Sequence, residues 1–444
     1  MSFVEVCSFQ YQGIERKEIL VQGIKSRGIG QLSLSGNLSS SLRDSRDKIK
    51  AVVAQIVPWG PVDKILLNLL PSDISKFTPL LELPMALATI SLLWPEPLNP
   101  DQTKRLSSFH FSGSISLSGE LNTFEMTNAD DENVRNFKNI SELWTFILSG
   151  EVPQEDYKIE KRYIKAEAIK ADGCEYEKFW LHIAADTKSP VLLIGPPGVG
   201  KSYLARWALE CLEAKFSRVK REEIDRIWTL AGKEEIPLIP FQNPHSRTHL
   251  SEFVGVARNE IPRPGIFTLA HGGLLVLDEF PELARDSREI LRNILDEKKV
   301  FKNTKAGFCT WPADFWLILT ANPCPCGYAR GNDLSRCRCQ ENHRQKYIAR
   351  FSGPLLDRIG VKIFLASKPE RLAPPPLKTK ATSEKNVDLP FKVSLNPREK
   401  NIYTQLWNSY RNKVEESPYS LKFFEDFLLE QKDFSKEWLV HVYP

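Results

Sequence analysis

Three stretches of the chain carry residues of the types and spacings needed to cleave a nucleoside triphosphate. In the first, Val191 to Ser202, the run Gly195-Pro196-Pro197-Gly198-Val199-Gly200-Lys201-Ser202 fits the phosphate-loop pattern G-x-x-x-x-G-K-[ST]. Its glycines let backbone N–H groups wrap phosphate oxygens with no Cβ in the way. Lys201 brings a point charge to the β and γ phosphates of ATP, and the Ser202 hydroxyl can ligate Mg²⁺. The second, Gly272 to Glu279, ends in two carboxylates. Asp278 can hold Mg²⁺ through water, and Glu279 is placed to polarise an attacking water as general base. In the third, an apolar run ends near Asn322, whose amide can hold that water against the γ-phosphate. The competing reading of Asn322 is a turn residue, since Asn-Pro commonly starts turns.

A fourth group is chemically distinct. Cys324, Cys326, Cys337 and Cys339 form CxC-x10-CxC, four thiols within 16 residues. Such a set suits a tetrahedral, structural Zn²⁺. The one-residue spacing inside each pair is shorter than usual, so reduced free thiols or a redox pair stay open. Cys7, Cys174, Cys211 and Cys309 read as isolated apolar fillers. Arg358 precedes the final apolar strand; it can serve as an arginine finger reaching a neighbouring subunit's γ-phosphate, or as a surface cation.

The elements that must position these residues can be read from periodicity. Val191–Ile194 and Leu274–Leu277 read as buried strands, as do 315–320 and 361–366. A helix after the phosphate loop puts Leu204, Trp207, Ala208, Cys211 and Leu212 on one face, and its N-terminal dipole favours an anion. A second helix spans 282–297, with Ile290, Leu291, Ile294 and Leu295 inward. Residues 253–265 read as an insertion hairpin, and 298–305 as a basic hairpin arm or a solvated turn. These elements define an α/β nucleotide-binding core at 160–367, with 159–185 mainly helical. Before it lie an α+β domain at 1–125 and a polar connector at 126–159 with a short helix near 140–148. After it come a Pro- and Lys-rich linker at 368–395 and a helical, aromatic region at 396–444, read as core packing or a reduced lid.

Composition bounds the class. The 444 residues suggest two or three domains, and 42% hydrophobic content is enough for sizeable cores. A net charge of +4 permits nucleic acid as a partner without requiring it. Eight cysteines in so long a chain do not make a secreted disulfide scaffold. The N-terminus lacks a signal-peptide pattern, and the most apolar stretch, 79–94, is too broken to span a bilayer. A cytoplasmic protein without membrane association is expected.

The assembled motifs resemble the ComM-type, magnesium-chelatase-like branch of the AAA+ ATPases. The matching stretches run over 190–366: GPPGVGKS, PFQNPHSRT, PRPG, AHGGLLVLDEFPE, NPCPCGY and SGPLLDRIG. In the first domain, Ser45-Arg46, NLLPSDISK, LELPMAL and FSGSISLSGEL are similar to that family's N-terminal domain, which has a fold like the Lon protease catalytic domain. A Lon-type Ser–Lys dyad is missing from Phe77-Thr78-Pro79-Leu80, so no peptidase activity is expected.

The resemblance implies a ring-forming, hexameric motor that moves along DNA, driving branch migration when incoming DNA recombines in natural transformation. It makes Asp278 and Glu279 the Walker B pair, Asn322 sensor 1 and Arg358 the finger. It also turns the hairpin 298–305 toward the ring pore, where phosphate contacts would make binding salt-dependent. The family's longer lid with a sensor 2 arginine does not align here, and Arg398 and Arg411 are the candidates. The runner-up is a chelatase- or MoxR-like ATPase that remodels a protein partner. A degenerate, non-hydrolysing ring component is a third reading, and the intact Glu279 argues against it.

Overall fold

The computed structural model describes residues 3–76, 79–128, 137–151, 162–165, 173–214, 216–233, 235–258, 261–304, 307–329, 337–365, 374–375, 397–414, 422–429 and 431. They fall into two compact units. The first gathers the described residues of Met1–Lys161, Val256–Arg263 and Phe301–Thr310; the second holds the others.

The first unit contains β1 (Phe3–Gln12), β2 (Glu15–Arg27), β3 (Leu32–Ser35), α1 (Ser40–Val53), β4 (Asp63–Leu70), α2 (Glu82–Leu93), α3 (Pro100–Ser108), β5 (Phe109–Ile115), β6 (Leu121–Asn128) and α4 (Ile140–Ser149). Its mixed sheet runs β3-β4-β2-β1-β5-β6. Alternation in β4 buries Ile65, Leu67 and Leu69 and exposes Lys64 and Leu66, as one covered face requires. Helix α2 is apolar all round because nearly all of it is inside. Its one carboxylate, Glu82, is buried and fully partnered. It accepts from Ser45 Oγ (2.6 Å), Lys48 Nζ (2.7 Å) and the Ile115 N–H (3.0 Å).

Two expectations are corrected here. The described residues of the stretch read as a connector at 126–159 belong to this unit. Strand β6 continues to Asn128, and α4 buries Ile140, Leu143, Trp144, Phe146 and Ile147 in the same core as α2. That apolar face is too large for a solvated linker. The domain therefore extends past 125. Cys174 is exposed rather than an apolar filler.

The second unit begins with β7 (Arg162–Ile164), α5 (Glu175–Thr187), β8 (Val191–Ile194), α6 (Lys201–Trp207), α7 (Arg218–Leu230), β9 (Glu235–Pro237), β10 (Phe241–Gln242) and α8 (Leu250–Val254). A hairpin, β11 (Val256–Arg258) and β12 (Ile261–Arg263), leads to α9 (Ile266–Leu269), β13 (Leu274–Leu277) and α10 (Arg285–Glu297). A second hairpin, β14 (Lys299–Thr304) and β15 (Gly307–Pro312), leads to β16 (Trp316–Ala321), α11 (Glu341–Ile348), α12 (Gly353–Leu356), β17 (Val361–Phe364) and α13 (Pro397–Lys413). The strands β11 and β12, and the parts of β14 and β15 within Phe301–Thr310, group with the first unit.

Strands β10-β13-β16-β8-β17 form one parallel sheet. Every residue of β8, β13 and β16 is buried, the burial expected of central strands covered on both faces. Strand β7 replaces part of the helix expected at 159–185. It pairs with β9, and Tyr163 is held there by Asp225 (2.8 Å) beneath the Arg221 guanidinium. The linker expected at 368–395 lies outside the described residues, apart from 374–375. The described aromatics of the C-terminal region pack in the core of the second unit. Tyr410, Phe423, Phe424 and Phe427 surround the fully buried Trp180 of α5, which stacks on Phe427 at 3.6 Å between ring centroids. Trp438 lies outside the described residues.

Candidate nucleotide-binding site

In a parallel α/β sheet, ligands bind beyond the carboxyl ends of the strands. Here the register decides which side chains meet there. Ile194 of β8 pairs with Ala321 of β16, and Leu277 of β13 pairs with Leu319. One residue further on, Gly195 comes beside Asn322 and Asp278 beside Thr320. Motifs distant in sequence thus become neighbours through ladder geometry.

Lys201 opens α6, and its ammonium donates to Gly195 O (2.8 Å), Pro196 O (3.0 Å) and Asn322 Oδ1 (2.9 Å). Burial lowers its pKa, while Asp278 and Glu279 act to raise it. Gly198 and Gly200 take φ of +77° and +93°, and a Cβ at either would meet nothing within 4 Å. Backbone strain thus favours glycine at both positions, and the open side of the loop leaves room for an anion.

Ser202 Oγ donates to Asp278 Oδ2 at 2.7 Å, so both candidate Mg²⁺ ligands face one point. The other Asp278 oxygen accepts from the Thr320 hydroxyl, whose oxygen in turn accepts the Glu279 N–H at 3.0 Å. Glu279 has φ +50°, in the left-handed region that a side chain other than glycine enters only when its surroundings hold it. Thr320 is that hold. Two bound oxygens and a hydroxyl fit a hard, oxygen-seeking divalent cation.

Asn322 donates its backbone N–H to the Tyr347 hydroxyl at 3.3 Å. Burial, first of all, raises the Tyr347 pKa, so the phenol stays neutral. Thr320 and Tyr347 escaped the sequence reading. Thr320 is the one hydroxyl in the buried strand WLILTA, a signal that was available. Tyr347 sits in the polar helix ENHRQKYI, where nothing marks it.

Arg358 is not gathered with these residues. Its guanidinium grips the Asp296 carboxylate with two nitrogens, one at 2.9 Å, and also reaches Pro354 O. Arg398, a sensor 2 candidate, binds the same carboxylate, whose pKa these hydrogen bonds lower. Arg411, the other candidate, lies on α13.

The four clustered cysteines do converge, with all four sulfurs within 4.8 Å of one another. Sγ–Sγ distances are 3.3 Å (Cys324–Cys326), 3.6 Å (Cys326–Cys337) and 3.9 Å (Cys324–Cys337). A tetrahedral ion with Zn–S bonds of about 2.3 Å sets its sulfurs about 3.8 Å apart, so the set fits Zn²⁺. Burial opposes ionisation of Cys326. Hydrogen bonds from the Tyr328 backbone, the Cys324 and Cys339 thiols and the Arg338 backbone overcome it and bring the pKa to about 6. Cys324 is pushed up to about 12, by burial and then by its hydrogen bond to Cys326.

Comparison with known proteins matches both parts of the chain. The family described as magnesium chelatase, subunit ChlI, matches residues 169–372, and a second model, subunit ChlI of Mg-chelatase, matches 21–134. An uncharacterized Mycobacterium tuberculosis protein is 27% identical over 82% of this chain and 77% of its own length. YifB of Escherichia coli is 27% identical over 80% of this chain and 74% of its own. Competence protein ComM of Haemophilus influenzae is 25% identical over 83% and 78%. Among the described residues no helix is long and apolar enough to cross a membrane. The match at 169–372 spans the residues that the sheet brings together, the match at 21–134 lies in the first unit, and the relatives, ComM among them, are similar across four-fifths of the chain; the chain belongs to the ComM-type, magnesium-chelatase-like family of AAA+ ATPases.

Proposed function

We propose that this chain is a subunit of a ring-shaped motor, a hexamer by family resemblance, that spends ATP to move DNA strands in recombination. For the chemical step, the reading rests on the Lys201–Asn322 and Ser202–Asp278–Thr320–Glu279 contacts. Lys201 and Asn322 would share the γ-phosphate, Lys201 by charge and Asn322 by orienting the attacking water. Glu279 would take that water's proton, and Arg358 of a neighbouring subunit would neutralise charge on the phosphoryl group as it passes from ADP to the water. Ser202 and Asp278 would hold Mg²⁺, which supplies charge neutralisation at the phosphates.

The DNA half of the reading is carried by one observation. On the hairpin β14–β15, Phe301 and Phe308 are 47% and 55% exposed, with rings stacked at 5.8 Å and 17°. Lys299, exposed and two residues before Phe301, is on the same face of that strand. The Phe308 carbonyl accepts from the Gln12 side chain at 3.0 Å, which docks this strand within the first unit and leaves both rings outward. Exposed aromatic faces beside a cation are the combination that stacks bases and tracks a phosphate backbone. The competence label of the Haemophilus relative is consistent with work on incoming DNA.

The test is ATP turnover with no DNA, single-stranded DNA and forked DNA, at two salt concentrations. We expect DNA to raise turnover and higher salt to weaken the effect. Turnover indifferent to every DNA form would refute the DNA reading and favour a protein substrate, as for a chelatase- or MoxR-like remodeller.

A further inference from the structure

The cysteine cluster and Asn322 form one closed circuit of chain. Asn322 follows β16, Pro323 comes next, and Cys324 is the first sulfur. The chain reaches Cys337 and Cys339 and then enters α11, two residues further on. The last turn of α11 carries Tyr347, which is buried and whose hydroxyl accepts the Asn322 N–H. Both ends of the cysteine loop therefore meet at Asn322. The loop is tightened from inside as well. Gly327 N–H donates to Cys324 O at 2.9 Å, and Ala329 N–H to Cys324 Sγ at 3.2 Å.

The same loop lies against the phosphate loop. A Cβ on Gly327, at φ +87°, would stand 2.4 Å from Pro197 Cδ. Pro197 is in the middle of GPPGVGKS. Movement of the cysteine loop is thus felt on two sides, by Asn322 through Tyr347 and by the phosphate loop through Pro197.

We propose that Tyr347 is a positioning residue for Asn322, and that the cysteine loop, when closed on a metal ion, holds this contact against the phosphate loop. Metal occupancy and ATP occupancy of a subunit then favour each other. This rests on the readings of the site as an ATPase and of the thiols as a zinc site. Coupling between two binding events is reciprocal, so it is measurable at the metal without measuring turnover.

The experiment uses the full chain, with its metal content measured first. A zinc-selective chromogenic chelator then follows metal release without nucleotide, with MgADP, and with Mg and a non-hydrolysable ATP analogue. We expect the analogue to slow release at least about fivefold, the low end of typical coupling between sites. Tyr347→Phe should keep one metal per chain and still bind the analogue, weakened by no more than the lost coupling factor, abolish the difference in release, and lower kcat more than it changes KM. A wild-type chain loaded with cobalt gives a second readout that needs no variant: the thiolate–cobalt absorption should shift when the analogue binds. Equal release rates and an unmoved spectrum, with metal and analogue both bound, would overturn the coupling and leave both underlying readings intact. A chain that takes up no metal overturns the zinc reading and this proposal together. A chain that binds metal but no analogue does the same for the ATPase reading.

Discussion

Thr320→Val tests the relay between the two acidic residues. Valine keeps the volume and β-branching of threonine in a fully buried strand and removes only the hydroxyl. That hydroxyl donates to the Asp278 carboxylate and accepts the Glu279 N–H at 3.0 Å. A hydrogen bond to a charged group contributes about 1.5–3 kcal/mol, and a neutral one about 0.5–1.5 kcal/mol. Without the hydroxyl, Glu279 loses the contact that keeps its backbone at φ +50°, a conformation whose strain is of order 1–3 kcal/mol. Its carboxylate should then relax away from the attacking water. If about 2 kcal/mol of the loss falls on the transition state, kcat drops about 30-fold. Lys201 keeps its contacts, so affinity for a fluorescent ATP analogue should change little. Thr320→Ser restores the hydroxyl and should recover most of the turnover. Steady-state ATP hydrolysis and nucleotide titration of the three proteins decide the matter. A valine variant within twofold of wild type would refute the relay, and a serine variant as slow as the valine would show that the hydroxyl is not what acts.

Three further outcomes follow from the same geometry. Glu279→Gln should cut turnover by about 10²–10⁴-fold, the usual contribution of a general base, while ATP stays bound; unchanged hydrolysis would remove Glu279 from the chemistry. Trp180→Ala should destabilise the second unit by about 3–5 kcal/mol, read in urea unfolding, because the indole is fully buried among Tyr410, Phe423, Phe424 and Phe427; a loss under about 1 kcal/mol would contradict this. Stability should also fall as the medium is acidified. Burial holds His271 below its usual 6.5, against the raising effect of Glu223 and with Lys220 adding to the depression, so from 6.5 downward the unfolded chain binds a proton that the folded one refuses. Glu223, held at about 2 chiefly by its hydrogen bond with His271, adds a loss in the same direction from 4.5 downward. The Asp314 N–H donates to His271 Nδ1 at 2.9 Å, so the neutral ring carries its proton on Nε2, toward Glu223. His271→Gln should flatten the slope of the urea midpoint between pH 5 and 7 (the range about 6.5 where histidine titrates); an unchanged slope would exclude His271 as its source.

What was legible in the sequence was whatever is written locally. The phosphate loop needs glycines at fixed offsets, and buried parallel strands read as unbroken apolar runs, so β8, β13 and β16 and the residues at their tips were plain. The thiols were countable, although only folding shows that Cys324 and Cys339 come together. Pairings made across the sheet were not legible. Thr320 acquires its role from standing next to Asp278 in the register, and Tyr347 acquires its role from the return of a polar helix to Asn322. The error at 126–159 has the same origin. Acidic residues at 130–132 give that stretch the look of a linker, but the apolar face of α4 outweighs them once α3 and Phe109 of β5 offer a surface to cover. The burial of the aromatic C-terminal residues was not legible until Trp180 supplied what they pack on.

Arg358 shows how far a local reading reaches. As a cation before a strand it could be named from the sequence, but its partner, 62 residues earlier, could not. Within its own chain Arg358 is already paired, and Asp296 also holds Arg398. One carboxylate between two guanidiniums leaves the trio with a net positive charge, but the Arg358 side chain is only 9% exposed, so a phosphate brought by another subunit would have to reach it within this pair. Asp296 either fixes where Arg358 stands for a neighbour or withdraws it into its own chain. Mixing two inactive variants separates the possibilities. Lys201→Ala chains lack a working nucleotide site and retain Arg358. Arg358→Ala chains retain the nucleotide site and lack the guanidinium. If Arg358 acts on the neighbour's nucleotide, the mixture should regain turnover that neither variant has alone, because some junctions pair an intact site with an intact arginine. If the two variants co-assemble, as judged by a tag on one of them, and turnover stays absent, Arg358 serves only its own chain and the pair with Asp296 is structural.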